Sequence, residues 1–356
     1  MAIGLRLLSV GYEVHVVAPG TCPEILAEHG FRYHQVSMSR KGKNPFGELG
    51  TICALYSVYR RIQPAIVHLV TIKPYLYGSI AARLANVPAV VSAVAGLGIL
   101  FSQNNLKSLL LRVLLFPLFR FAFGHRNQSV IFQNRDDQAI LHRFAGLSEQ
   151  KSVLIRGAGV DLRRYPYMPE PDGVPVISLA SRLLKDKGVV EFAEASRVLQ
   201  QRGVKSEFWL IGTPDPGNAN TVTQAQLDGW QKAGLVKCLG YRTDIAALFA
   251  LSHIVTLPSC YGEGLPKVLI EAAACGRAVV TTDHPGCRDA IEVDKTGLLI
   301  PIKDSTALAD AIERLINNPA QRQRLGRAGR ELAENVFDVE KVIDEHIEIY
   351  EQLLKR

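Results

Sequence analysis

At 356 residues, 47% of them apolar and with no periodic repeat, the chain reads as an ordinary globular protein of about two domains. Its six cysteines (Cys22, Cys53, Cys238, Cys260, Cys275, Cys287) are scattered without a C-x-x-C pair, which argues against a disulfide framework or a zinc site and fits a reducing cytoplasm. Residues 1–170 carry 19 Lys+Arg against 9 Asp+Glu and the remainder 22 against 25, so the net +7 comes from the first half; no basic run is interleaved with aromatics, so an anionic membrane surface or phosphorylated lipid suits it better than nucleic acid.

The first half alternates short apolar runs with helical patterns, as a parallel α/β sheet does. Strands are expected at Val14–Ala18, Phe31–Val36, Ala65–Val70, Ala89–Ala93, Ser129–Gln133 and Ser152–Ile155. Helices are expected at Glu24–His29, Gly47–Ile62, Leu76–Ala85 and Asp136–Phe144. Ligands of such sheets bind beyond the carboxyl ends of strands. Thr71 and Lys73, and then Gly96 in Ala95-Gly-Leu-Gly98, follow strands in that way and are candidate acceptor-side residues. His68 lies inside an apolar run and reads as a core histidine. Leu106–Gly124 is the most apolar stretch, but Lys107, Arg112 and Arg120 interrupt it and Pro117 breaks it, so it does not span a membrane. It reads either as a core helix or as one lying on a membrane with its cations near headgroups. The first residues lack a basic region followed by a long apolar core, so no secretory leader is expected.

A Pro- and charge-rich linker, Arg163–Pro175, marks a boundary, and the same rhythm restarts beyond it. Strands are expected at Val176–Ala180, Glu207–Ile211, Val236–Leu239, Ile254–Leu257 and Ala278–Thr282, and helices at Gly188–Arg202, Leu227–Ala233 and Asp244–Leu251. Two candidate sites stand out here. In Val176–Gly188 a strand runs into a loop with Arg182 and Lys187 and then into a helix start, two cations beside backbone amides that could clamp a diphosphate. In Pro258–Arg277, Pro266 suits the first position of a helix. Glu263 precedes that helix and Glu271 lies on it, tilted back toward its start. The amides of Gly264, Leu265 and Lys267 favour an anion there, and the two carboxylates would accept hydrogen bonds from sugar hydroxyls. Amides for phosphate beside carboxylates for hydroxyls point to a nucleotide-sugar.

The spacing PS-x3-EG-x-P-x4-EA-x3-G, together with QNRDDQ, VDLRRY and SRLLKDKG, resembles family 4 of the retaining glycosyltransferases, within it the bacterial CapM/PglA-like group for capsule, O-antigen and glycan assembly. The resemblance implies a GT-B fold: α/β, with two doubly wound Rossmann-like domains facing a cleft. Residues 1–165 would form the acceptor-binding domain, with helix 339–354 crossing back onto it, and 170–336 the nucleotide-sugar domain. It implies that Arg182 and Lys187 stabilise departing UDP, that Glu271 holds the ribose and Glu263 faces the donor sugar, and that Arg242 neighbours the base or ribose. Transfer would run with retention from a UDP-sugar, an N-acetylated hexosamine, to a polyprenyl-diphosphate-linked saccharide at the inner face of the cytoplasmic membrane. No cofactor or metal is expected: no D-x-D stands at a strand end, and the pyrophosphate already has an Arg and a Lys.

Two departures qualify the resemblance. Ala95 stands where the family's H-G-x-G turn has histidine, so a histidine base is not expected; the departing phosphate oxygen can take that role. The family also opens with a strand and a Gly-rich turn, and Met1 here stands inside the helix that should follow them. The first domain would then lack its first, central strand, and the alternative is a truncated, non-catalytic UDP-sugar-binding protein. A dinucleotide oxidoreductase is disfavoured, since Gly157-Ala-Gly159 lacks the third glycine and a following helix.

Overall fold

The computed structural model describes residues 1–38, 45–98, 101 and 106–355. It divides into two compact units, Met1–Ile155 with Val342–Arg356, and Arg156–Lys341. The segment Arg163–Pro175, read as a linker, belongs to the second unit, where the Val160 amide donates to the Phe337 carbonyl and the Val339 amide to the Val160 carbonyl.

The second unit is built on one six-stranded parallel sheet. Its strands are β7 (Val176–Ala180), β8 (Glu207–Ile211), β9 (Lys237–Gly240), β10 (Ile254–Leu257), β11 (Ala278–Thr282) and β12 (Gly297–Ile300), in spatial order β12-β11-β10-β7-β8-β9. Every residue of β7, β10 and β11 is buried, which is why these strands read as continuous apolar runs rather than alternations. On one face Ile177, Leu179, Leu210 and Val280 pack against α7 (Val189–Gln201) and α11 (Ser305–Asn317). On the other, Val255, Leu257 and Val279 pack against α9 (Ile245–Ala250) and α10 (Lys267–Ala274).

The first unit has the same logic with an interruption. Strands β1 (His15–Ala18) and β2 (Arg32–Gln35) form a separate parallel pair. Strands β3 (Ile66–Val70), β4 (Ala89–Val94), β5 (Gln128–Phe132) and β6 (Ser152–Leu154) form a four-stranded parallel sheet. In the second unit, the first strand, β7, sits between β8 and β10 and joins the two halves of the sheet. Among the described residues no strand pairs with both β1 and β3. This is the arrangement expected of a doubly wound sheet whose central strand is not among these residues. Helix α1 (Ala2–Ser9) stands where α7 stands in the second unit's order, with Ile3 and Leu7 against the cluster of Ala89, Val91 and Ile131. The terminal helix α13 (Val339–Leu354) covers that same face through Val342, Ile349 and Leu353.

The remaining helices show where sequence expectation and structure part. Helices α2 (Glu24–Glu28), α3 (Pro45–Ile62) and α6 (Arg135–Ala145) fall within a few residues of expectation. The segment expected as one helix over Leu76–Ala85 begins instead as a π-helical turn, Pro74–Gly78, before α4 (Ser79–Leu84). Pro117 does not break its stretch: α5 runs unbroken over Leu106–Ala122. The carbonyl deprived of a partner belongs to Val113, four residues earlier on the exposed side, where solvent can satisfy it. Helix α8 (Gln224–Lys232) starts three residues before its expected place, since Thr223 and Gln226 form a capping box. Strand β12, α11 and α12 (Pro319–Leu332) were not anticipated, although Asp304 caps α11 and Asn318, followed by Pro319, caps α12.

Candidate active site

The loops at the carboxyl ends of β7, β8, β10 and β11 are tied to one another by their backbones. The Ser181 amide donates to the Ile211 carbonyl at 3.0 Å, and the Lys185 amide to the Asn220 carbonyl at 2.8 Å. The Cys260 amide donates to the Asp186 carbonyl at 2.9 Å, and the Ser259 hydroxyl reaches the same oxygen at 3.1 Å. The Thr282 hydroxyl in turn donates to the Ser259 carbonyl. Two glycines permit this closeness. Gly188 has φ +76°, and a Cβ there would lie 2.2 Å from the Pro258 carbonyl oxygen. Gly286 has φ +81°, and a Cβ there would lie 2.4 Å from the Gly264 carbonyl oxygen.

Within this frame Lys187 and Glu263, 76 residues apart, form an ion pair with side chains only 15% and 14% exposed. Glu263 also accepts from the Ser259 hydroxyl at 3.2 Å, and Lys187 lies 5.9 Å from the centre of the Tyr261 ring. Burial pushes the Tyr261 hydroxyl pKa up; Glu263 and Asp186 add to the rise and Arg182 opposes it, so these four charged and polar groups share one field. Arg182 is 62% exposed and donates to Asp215 at 3.1 Å. Cys287, beneath them, is pushed up to about 12 chiefly by burial, so its thiol stays neutral.

Glu271 has a different set of partners. It is buried on α10, with the Lys267 ammonium at 3.6 Å and the Tyr165 hydroxyl nearby. Burial raises its pKa; Tyr165 and Lys267 offset only part of that. Pro266 precedes the first helical residue instead of being it: its φ of −64° suits a helix, but its ψ of 118° is extended. Gly264 and Leu265 lead into that same helix start. Arg242 lies beyond β9 with its guanidinium turned onto Asp244, Nε to Oδ1 at 2.7 Å. The structure therefore joins Lys187 to Glu263, turns Arg182 of the same loop onto Asp215, and gives Glu271 and Arg242 partners of their own. Sequence reasoning missed Asp186, Asp215, Ser259, Tyr261 and Tyr165. Of these, Ser259 and Tyr261 lie inside Pro258–Arg277, Asp186 inside Val176–Gly188 and Tyr165 inside VDLRRY, and Asp215 alone lies outside the motifs that were read.

In the first unit, Thr71 follows β3 with φ +73°, a strained conformation for a β-branched residue. Lys73 pairs with Glu48 at 2.6 Å and lies 6.0 Å from the Tyr77 ring. The Tyr77 hydroxyl is pushed up to about 12 by burial and by Glu48. Gly96, after β4, has φ +100°. His68, expected in the core, is half-buried on β3 and only half satisfied: Nδ1 meets the Tyr350 hydroxyl, while Nε2 has no hydrogen-bond partner. Burial, aided by His346, lowers its pKa to about 3, so it is neutral at physiological pH. Among the described residues, no group of three or more His, Cys, Asp or Glu is placed to hold a metal ion.

Two family models match the chain: one described as glycosyl transferase 4-like over residues 4–134, the other as glycosyl transferases group 1 over residues 174–318. The chain is 28% identical to the N,N'-diacetylbacillosaminyl-diphospho-undecaprenol alpha-1,3-N-acetylgalactosaminyltransferase of Campylobacter jejuni, over 96% of this chain and 92% of that protein. It is 26% identical to the UDP-Gal:alpha-D-GlcNAc-diphosphoundecaprenol alpha-1,3-galactosyltransferase of Escherichia coli, over 85% and 79% of the two chains. Among solved structures, Anabaena HepE in complex with UDP and glucose superposes with a TM-score of 0.79 at 20% identity, covering 98% of this chain and 94% of that one; the likeness carries the fold. Two parallel α/β units, the tied loops around Lys187 and Glu263, and a relative matched along nearly the whole chain agree on one conclusion. The chain belongs to the glycosyltransferase 4-like family and is a glycosyltransferase of the GT-B fold.

Proposed function

We propose that this enzyme moves a sugar, an N-acetylhexosamine, from its UDP form to a polyprenyl-diphosphate-linked saccharide, retaining the anomeric configuration and needing no metal. The observation that carries the reading is the Lys187–Glu263 pair at the carboxyl ends of the second unit's strands, with Arg182 in the same loop as Lys187. Such a group holds a cation for a diphosphate and a carboxylate for sugar hydroxyls side by side. The relatives that name UDP-galactose and diphosphoundecaprenol-linked sugars support the donor and acceptor classes.

In this reading the acceptor hydroxyl oxygen bonds to the donor's anomeric carbon as the bond from that carbon to the UDP oxygen breaks. The hydroxyl proton passes to the departing phosphate oxygen, which suits a chain with Ala95 in place of a histidine. Arg182 and Lys187 neutralise the charge gathering on UDP. An ammonium has three N–H donors, so Lys187 can hold Glu263 and a phosphate oxygen together. Glu263 orients the donor sugar and Glu271 accepts from the ribose hydroxyls, with Gly264 and Leu265 at the helix start beside the nucleotide and Arg242 toward its base. Thr71, Lys73 and Gly96 serve the acceptor. The work is done at the inner face of the cytoplasmic membrane, against an anionic surface, and no helix among the described residues is long and apolar enough to cross that membrane.

The test is UDP release from a panel of UDP-sugars, in EDTA, with and without a polyprenyl-diphosphate-sugar. Acceptor-dependent release from one donor, lost in Glu263→Ala and Arg182→Ala, supports the reading. UDP bound without release would make the chain a nucleotide-sugar-binding protein, and no binding at all would overturn the site.

A further inference from the structure

Helix α5 is apolar on two opposite faces. The inner face, with Leu115, Phe119 and Ala122, packs into the core of the first unit. The outer face carries Leu106, Leu109, Leu110, Val113, Leu114 and Pro117, spaced three and four apart so that they line one side. The five aliphatic members are between 55% and 81% exposed, and Arg120, three residues past Pro117, ends the stripe. Single exposed leucines are ordinary; a helix face of this kind is not.

The surroundings indicate what covers it. From Leu49 to Arg135 the sequence contains nine Lys or Arg and no Asp or Glu. Three of those cations lie on aromatic rings at α5, Arg83 and Arg120 beside its outer face and Arg112 toward its inner side, where Phe101 packs against the core. The Arg83 guanidinium lies 4.0 Å from the Phe121 ring centre and donates to the Phe121 carbonyl. Arg120 lies 5.8 Å from Phe116, and Arg112 lies 5.4 Å from Phe101. An apolar ridge bordered by aromatics and arginines matches an interface with acyl chains below and anionic headgroups at its rim. A second copy docked on the same face would set cation against cation, with no carboxylate in the segment to relieve them.

We propose that the outer face of α5 is the surface by which this protein lies on an anionic lipid bilayer, its leucines in the acyl boundary and its arginines at the phosphates. The inference rests on the reading of the acceptor as lipid-linked only for its purpose; binding to lipid needs neither donor nor turnover, so either can fail without the other.

The experiment uses the whole chain and vesicles of phosphatidylcholine with or without phosphatidylglycerol. Cosedimentation with the anionic vesicles is expected to fall about 10-fold in Leu110→Glu/Leu114→Glu, and to weaken in high salt and on pure phosphatidylcholine. Unfolding temperature and UDP binding, measured alongside, are expected to stay at wild-type values, since both side chains already face solvent. A Leu114→Trp variant gives an independent reading: the emission it adds to that of wild type is expected to shift to the blue and be quenched by brominated acyl chains. Wild-type vesicle binding in the double variant, equal binding to neutral and anionic vesicles, or an added emission blind to brominated lipid would overturn the proposal. A concentration-dependent dimer dissolved by the same substitutions, without vesicle binding, would overturn it in favour of a second copy.

Discussion

Lys187 and Glu263 allow stability and catalysis to be separated. With side chains 15% and 14% exposed, the two charges are largely withdrawn from water and each is the other's compensation. Removing one partner from a fully buried pair costs about 3–5 kcal/mol, because the survivor is left desolvated and alone. The residual exposure here and the Ser259 hydroxyl on Glu263 reduce that to about 2–3 kcal/mol for Glu263→Gln or Lys187→Met. In a unit spanning Arg156–Lys341, that loss corresponds to a fall in unfolding temperature of about 5–10 °C. The double variant Lys187→Met/Glu263→Gln leaves no orphaned charge, so it is expected to recover most of the loss, to within about 1 kcal/mol of wild type. Its activity is not expected to recover, since both donor contacts are gone. The assays are thermal unfolding followed by fluorescence, and UDP release at saturating acceptor. A double variant as unstable as the sum of the singles would refute the pairing argument. A stable double variant with wild-type turnover would refute the site.

Other outcomes follow from the same geometry. Gly188→Ala puts a Cβ 2.2 Å from the Pro258 carbonyl oxygen at φ +76°, so the loop must move; we expect a loss of about 2–4 kcal/mol with UDP affinity falling too, and wild-type affinity in a binding titration would count against the frame. Burial raises the Glu271 pKa, so the fold favours its neutral form and stability falls as pH rises through that raised value. Glu271→Gln, never ionised, is therefore expected to unfold at a higher temperature than wild type at about pH 7, with the gain vanishing near pH 4, while nucleotide binding is lost; a variant destabilised at neutral pH would reverse the sign of this argument. Thr71→Asn relieves a β-branched residue at φ +73° and is expected to gain about 1 kcal/mol in urea unfolding while raising the acceptor KM and leaving UDP binding untouched. No change in acceptor KM would remove Thr71 from the acceptor side.

Local signals carried the sheets. Strands β7, β10 and β11 fall on their expected residues because parallel strands buried on both faces are short apolar runs with sharp ends, Pro258 being one. What a single stretch could not reveal was pairing at long range. Nothing local says that Lys187 meets Glu263, or that Asp186, through its backbone carbonyl, holds the loop of Cys260. Those contacts depend on β7 and β10 being neighbours, although β8 and β9 come between them in sequence. Proline misled in the other direction: Pro117 reads as a breaker, yet the bond it removes lies on a face that needs none from the protein.

The uneven charge of the chain acquires a structural meaning from these contacts. In the second unit, cations on the site's loops are matched within the fold, Arg182 to Asp215, Lys187 to Glu263 and Arg242 to Asp244, and away from the site the buried Arg322 pairs with Glu170 at 2.8 Å. Such pairs fix positions and leave little net field beyond the surface. Residues 49–135 of the first unit contribute no carboxylate of their own, and Arg83 and Arg120 are oriented by ring faces and, for Arg83, a carbonyl. Neither kind of partner cancels a full charge, so the positive potential persists outward. One unit thus holds paired charges arranged for a small anionic ligand, and the other keeps uncancelled charge beside an apolar ridge, suited to an extended anionic surface. On the proposed reading, with a soluble donor and a lipid-borne acceptor, both are required, and the difference is already written in where Asp and Glu are absent.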